Sequence, residues 1–139
     1  MDTKTYLKQI SRLDDMIENT RQDIERLKSL AMSITVPMDK EKVQTSGTSD
    51  LIASSVSAYV DLEREKVNSW AKQRELAVHQ IEGLENHAYY KVLYKRYVLD
   101  RSLEDIRNNM GYSRTQINRL MNSALEDFEK KYIETYRNL

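Results

Sequence analysis

Apolar residues recur in alternating steps of four and three along residues 3–34: Tyr6, Ile10, Leu13, Ile17, Ile24, Leu27, Ala31 and Ile34, with Thr20 the one polar member of the seam. That is the heptad of a coiled coil. It predicts a helix that would make a rod of roughly 48 Å. A second seam reads Ile52, Val56, Tyr59, Glu63, Val67, Trp70, Arg74, Ala77, Ile81, Leu84 and Ala88, and predicts a helix over 50–86 capped by Ser49 or Asp50. Glu63 and Arg74 are polar seam positions: they either fix register at a cost in stability or turn out to solvent as a real helix drifts against a strict heptad. Between the seams, residues 35–49 contain Pro37 and Thr45-Ser46-Gly47-Thr48-Ser49, which read as a loop. Each helix needs a partner for its stripe, so the simplest arrangement is a long antiparallel helical hairpin. Two helices bury only a narrow seam, and homo-oligomerisation through residues 3–86 is the natural way to widen it.

The pattern changes after residue 87. Residues 88–98 place Tyr90, Leu93, Tyr94 and Tyr97 at helical spacing. Such an aromatic stripe reads as core packing beneath the next helices of the chain; a base-stacking platform would need those rings exposed in a basic groove. Then comes a helix-turn-helix. Ser102 caps a short helix whose apolar face is Leu103, Ile106 and Met110. Gly111 comes next, where a left-handed backbone costs only glycine little. Ser113 caps a second helix with an apolar face of Ile117, Leu120, Met121, Ala124, Leu125 and Phe128. Arg114, Thr115, Gln116, Asn118 and Arg119 crowd its first turns. In this motif those turns enter the major groove, and Arg, Asn and Gln carry the hydrogen-bonding edges that match base edges. Lys95 and Arg96 are candidate phosphate contacts.

Charge sharpens this division. The 139 residues carry 22 basic and 22 acidic side chains, so the net charge is zero. Residues 1–87 nevertheless hold 12 Lys/Arg against 15 Asp/Glu, and residues 88–139 hold 10 against 7. The basic excess lies with the helix-turn-helix, as phosphate contact requires. Two domains are expected: a 1–87 helical arm and an 88–139 DNA-binding domain. Three glycines, one proline and the high Leu, Glu, Lys, Arg and Gln content make the fold class all-α. With no cysteine, disulfides and thiolate metal sites are excluded and a reducing, cytoplasmic setting is expected. No apolar run is long enough to span a bilayer and no signal-peptide pattern opens the chain, so no membrane partner is expected. His79 and His87 stand too far apart to share a metal, and no nucleophile–base set is present. The chain reads as no enzyme, with no metal site and no cofactor.

Residues 93–98, 102–106, 112–119 and Ala124-Leu125 resemble the fourth conserved region of bacterial sigma factors, the helix-turn-helix that binds the upstream promoter element and touches the RNA polymerase flap. The resemblance covers about residues 88–130. It implies that Arg96 contacts the DNA backbone, that Ser102 caps beside a phosphate, and that Arg114, Thr115, Asn118 and Arg119 meet DNA. Thr115 stands where the family has an acidic base reader, Asn118 where it has arginine and Ser123 where it has lysine, so promoter specificity is not implied. The whole chain also resembles small phage-encoded transcription regulators of the ArpU/RinA-like group, through Tyr6-Leu7 with its heptad, Val43-Gln44-Thr45-Ser46, and Leu93-Tyr94-Lys95-Arg96-Tyr97. That resemblance implies a nucleoid-associated protein of a bacterial host controlling late or packaging genes of a prophage. Residues 1–87 lack the basic, aromatic helix that melts promoters, so action as a complete sigma factor is not expected. A small-terminase-like packaging protein, which also joins a helix-turn-helix to oligomerising helices, is the alternative.

Overall fold

The first heptad folds as a single helix, α1 (Thr3–Thr35), in a computed structural model that describes residues 1–35 and 42–139, with side chains outside 34–49. Asp2 opens it by accepting the Thr5 amide at 2.7 Å, and hydrogen bonding from the Thr5 side chain, then from its amide, holds this carboxyl below its ordinary pKa. Tyr6, Ile10, Leu13, Ile17 and Ile24 are buried, as the seam requires; Ile34 lies outside the described side chains. The second helix, α2 (Lys42–Glu82), begins earlier than expected. Residues 42–49 are helical and not loop, while Pro37 and the rest of 36–41 lie outside the described residues. The reason is energetic. Ser and Thr fall only a few tenths of a kcal/mol below good helix formers, and one Gly costs about 1 kcal/mol. A long helix, once nucleated, absorbs that.

The remaining elements are α3 (His87–Leu93), a π-helical turn (Tyr94–Val98), α4 (Leu103–Met110) and α5 (Arg114–Tyr136). The described residues contain no strand, so the chain is all-α, and none of their helices is long and apolar enough to cross a membrane. The helix expected over 88–98 therefore changes character midway. Asn86 starts it by accepting the Ala88 and Tyr89 amides at 3.0 and 3.3 Å. At its end the Leu99 amide reaches Tyr94 O at 3.0 Å, one residue further than an α-helix allows.

Two compact units form: residues 15–71, and residues 1–14 with 72–139. They cut across the division expected at residue 87, because both hairpin helices contribute to the core around α5. In the larger unit Leu7, Ile10, Ile81, Val92, Leu93, Ala124, Phe128 and Tyr136 are fully buried in one cluster. Tyr6 stacks on Tyr136 with ring centroids 4.4 Å apart. The phenols are paired: Tyr6 Oη donates to Gln80 Oε1 at 2.6 Å, and Tyr136 Oη shares a 2.7 Å bond with Thr3 Oγ1. No buried side-chain polar atom among the described residues lacks a partner. Asp14 and Arg74 pair across the helices at 2.5 Å, so α1 and α2 run antiparallel here, Tyr6 matching Gln80 and Asp14 matching Arg74.

In the 15–71 unit the seam consists of Ile17 and Ile24 from α1 with Val60, Glu63 and Val67 from α2, all buried. Glu63 holds a seam position, and its carboxylate takes Lys66 Nζ at 2.9 Å. Tyr59, expected in the seam, is instead exposed, and its neighbour Val60 is buried. Val60 continues the strict alternation of three and four that runs through Glu63, Val67, Trp70, Arg74, Ala77, Ile81 and Leu84, whereas Tyr59 would need two successive steps of four.

Candidate nucleic-acid interface

The helix ends are set by side-chain caps. Ser102 is extended (φ −69°, ψ 156°), and its Oγ accepts the Asp105 amide at 3.1 Å. Glu104 and Asp105 in the first turn complement the positive end of α4. The helix stops at Gly111, which is left-handed (φ 71°, ψ 28°), and the Tyr112 amide closes the turn onto Arg107 O at 3.1 Å. Two residues later a full capping box starts α5: Ser113 Oγ accepts the Gln116 amide at 3.1 Å, and Gln116 Oε1 accepts the Ser113 amide at 2.9 Å. Ile106 and Ile117 hold the two helices from within, each 1% exposed.

With Ile117 and Met121 buried, the opposite edge of α5 faces outward. Ser113, Arg114, Thr115, Gln116, Asn118 and Arg119 are all exposed. Arg114, Thr115, Asn118, Arg119 and Asn122 fall at spacings that share one helix face. Asn122 is not among the residues singled out from sequence, although its position one turn beyond Asn118 marks it. Gln116 plays a different part. Its carbonyl oxygen is engaged in the cap, so it could read an adenine through both amide atoms only by opening the capping box. Arg107 is half-buried and ion-paired to Glu104. That hydrogen bond, with the charges of Arg107 and Arg114 behind it, holds the Glu104 carboxyl below its ordinary pKa.

A second basic group sits on the π-helical turn. The Arg101 amide returns to Lys95 O at 3.0 Å, and Asp100 takes φ 55°, a conformation that Asp tolerates better than most residues. Arg96 is half-buried, and its Nη1 donates to Arg101 O at 2.9 Å. Arg96 thus braces the segment leading to Ser102. Lys95 and Arg101 line a small cavity of about 100 Å³ with Asn109, and Asp105 stands in the same wall. Arg101 is exposed and is a further residue that sequence spacing does not single out, though a basic residue directly before a capping serine is a signal of the right kind. The tyrosine stripe packs as expected. Leu93 and Tyr97 are buried, Tyr90 and Tyr94 are half-buried with rings 5.5 Å apart, and burial raises the Tyr97 phenol pKa. Among the described residues no three His, Cys, Asp or Glu side chains gather as a metal site.

The model of the family described as "Protein of unknown function (DUF1492)" matches residues 35–129, more than half of the chain. Neither the curated proteins nor the solved structures contain a match.

Proposed function

The chain belongs to the DUF1492 family, and we propose that this member is a sequence-specific double-stranded-DNA-binding transcription regulator. One observation carries the reading: a helix opened by a capping box presents Arg114, Thr115, Asn118, Arg119 and Asn122 on a single exposed edge, with its apolar face locked beneath. A helix of that kind, two residues after a glycine-closed turn, suits insertion into a major groove. Arg114 and Arg119 offer bidentate donors to guanine, and Asn118 and Asn122 offer the donor–acceptor pair that adenine takes. Lys95 and Arg101 would hold the phosphate backbone, and Ser102 and Ser113 would bring their helix N-termini beside it. The sigma-region-four resemblance adds the finer part: a sigma-like regulator of phage late or packaging genes that contacts host RNA polymerase and works at the nucleoid.

The test is quantitative DNA binding. Sites recovered by selection from a random duplex pool should bind with a slope of log K against log salt of about −2, for the two phosphates that Lys95 and Arg101 neutralise. Arg114→Ala and Arg119→Ala should each cost about 1–3 kcal/mol on the selected site and relax the preference at one base pair. Lys95→Ala and Arg101→Ala should weaken all sequences alike. Failure to enrich any site, or full binding by the Arg114→Ala/Arg119→Ala protein, refutes the reading. A ring of many subunits on DNA would favour the packaging alternative.

A further inference from the structure

We propose that Glu104 withholds Arg107 from DNA, so that an acid of α4 sets how strongly the protein grips any duplex. The proposal rests on the DNA-binding reading and deepens it. It starts from the placement of charge around α4. Ile106 is buried, with Leu103 and Met110 packed beside it. At about 100° per residue, this leaves the helix two flanks. Glu104 and Arg107 share one flank, and Asp105 and Asn109 share the other. Asp105 and Asn109 line the cavity of Lys95 and Arg101. The flank of Glu104 belongs to α5.

Arg107 anchors the turn to that helix, since its carbonyl accepts the Gly111 and Tyr112 amides. It stands midway along the chain between Ser102 and Ser113, the two caps proposed to lie beside the DNA backbone. Glu104 takes its guanidinium in a two-pronged contact: Nε donates to Oε2 at 3.3 Å, and Nη2 donates to Oε1. Such a fork engages the same donors that arginine offers a phosphate. Hydrogen bonding from Arg107 lowers the Glu104 pKa, and the charge of Arg114 lowers it further, so the carboxylate also lies within electrostatic reach of the first cation of the reading edge.

An acid in this place is not neutral toward DNA. A carboxylate about 7 Å from a phosphate weakens binding roughly twofold to threefold even in salt water. One that also occupies an arginine removes a phosphate contact. Both penalties act on the backbone, so they fall on every sequence alike. A complex held by phosphates alone is then weak. A site matched to Arg114, Asn118, Arg119 and Asn122 adds base contacts that the pairing of Glu104 with Arg107 leaves in place.

The experiment is fluorescence anisotropy of the full chain with the selected duplex and with an unrelated duplex, each over a salt series. Glu104→Ala should bind both about three- to tenfold more tightly, with the base preference unchanged. Its slope of log K against log salt should steepen from about −2 to about −3 as Arg107 takes a phosphate. Arg107→Ala should keep the slope near −2, and the Glu104→Ala/Arg107→Ala protein should return to it. A Glu104 that served only the fold would act the other way: losing a first-turn carboxylate weakens α4, so binding would fall or stay level. Wild-type affinity and slope in Glu104→Ala overturn the proposal, as does a steepened slope that survives the loss of Arg107. In both of those results the wild type still binds its site and the DNA reading stands. A wild type that binds neither duplex removes that reading and this proposal together.

Discussion

Replacing Gly111 isolates the energy of the turn between α4 and α5, because the site separates conformation from packing. Gly111 has φ 71°, and a Cβ built there meets no atom within 4 Å. Gly111→Ala therefore creates no clash and removes no contact. What it adds is the penalty of a left-handed backbone for an L-residue, about 1–2 kcal/mol. Alanine also stiffens the unfolded chain, which returns about 0.4–1 kcal/mol. The net expectation is a loss of about 1 kcal/mol, with Gly111→Asn losing less because Asn visits this region readily. Gly83 gives the contrast. Its backbone is not left-handed, but an added Cβ would overlap Tyr132 Oη, so the cost of Gly83→Ala is steric. Tyr132 is itself packed on Phe128, with ring centroids 5.0 Å apart, which restricts where the phenol can go.

Urea unfolding followed by far-ultraviolet circular dichroism should thus show a lowered midpoint at unchanged slope for Gly111→Ala. In a Tyr132→Phe background the Gly83→Ala loss should shrink, a coupling of about 0.5–3 kcal/mol, while the Gly111→Ala loss should add without coupling. A Gly111→Ala loss above about 3 kcal/mol would mean that the site is packed after all. An Asn variant no better than Ala would mean that backbone conformation is not what Gly111 supplies.

Ser113→Ala should destabilise by about 0.5–2 kcal/mol in the same assay. Gln116→Ala should lower stability through the cap yet leave base preference in DNA selection unchanged; a changed preference would return Gln116 to the reading edge. Burial raises the phenol pKa of Tyr6, Tyr97 and Tyr136. A raised folded-state value favours the protonated form, so this stability is whole below the unfolded value of about 10 and is lost as pH rises through the folded one. In an alkaline titration read by tyrosinate absorbance, these three of the nine tyrosines should ionise only as the helices melt; ionisation of all nine before any loss of helix would contradict their burial. Arg74→Ala should cost less than about 1 kcal/mol, since its pair with Asp14 is partly solvated.

The features legible in the sequence are those that depend on neighbours along the chain. The seam of α1 is a local period, and the caps at Ser102, Gly111 and Ser113 are local chemistry, so spacing alone places them. The start of α2 is not legible in this way, because a Thr-Ser-Gly-Thr-Ser run looks like punctuation and yet each residue is only mildly unfavourable in a helix. The π-helical turn is invisible to a 3.6-residue period. The exchange of Tyr59 for Val60 follows from the strict heptad running back from Leu84, which a seam read forward from Ile52 misses by one residue. At the candidate interface, five exposed residues of α5 are identifiable because Ile117 and Met121 fix which way the helix turns. The pattern Ser113-x-x-Gln116 is a capping box in sequence, and its conflict with a base-reading Gln116 needs the hydrogen bonds to become plain. Arg96 reads as a backbone contact from the resemblance, and its further bond to the Arg101 carbonyl is one that spacing does not show.

The most consequential long-range feature is the dependence of the C-terminal helices on both ends of the hairpin. A fragment of residues 88–139 would carry α4, α5 and most of α3, without the Asn86 cap, but would lose Tyr6, Leu7, Ile10, Ala77, Ile81 and Leu84 from the common core. Removing one fully buried aliphatic side chain costs about 2–5 kcal/mol. Leu7, Ile10 and Ile81 are each 0% exposed, so their combined loss matches the ~5–15 kcal/mol that keeps a typical domain folded. Phe128 and Tyr136 would also lose the Tyr6 ring, and the Tyr136 phenol its Thr3 partner. A chain of about 50 residues is already near the size at which a single core is marginal. The fragment is therefore expected to show little cooperative unfolding and to bind DNA only weakly, whereas adding back a peptide of residues 1–14 to a 72–139 chain should restore helicity and a sharp melt. A cooperatively folded 88–139 fragment, with near-wild-type affinity for the selected site, would mean that α5 is held by its own unit alone. The buried tyrosines of α1 and α5 would then be a consequence of the fold and not a condition of it.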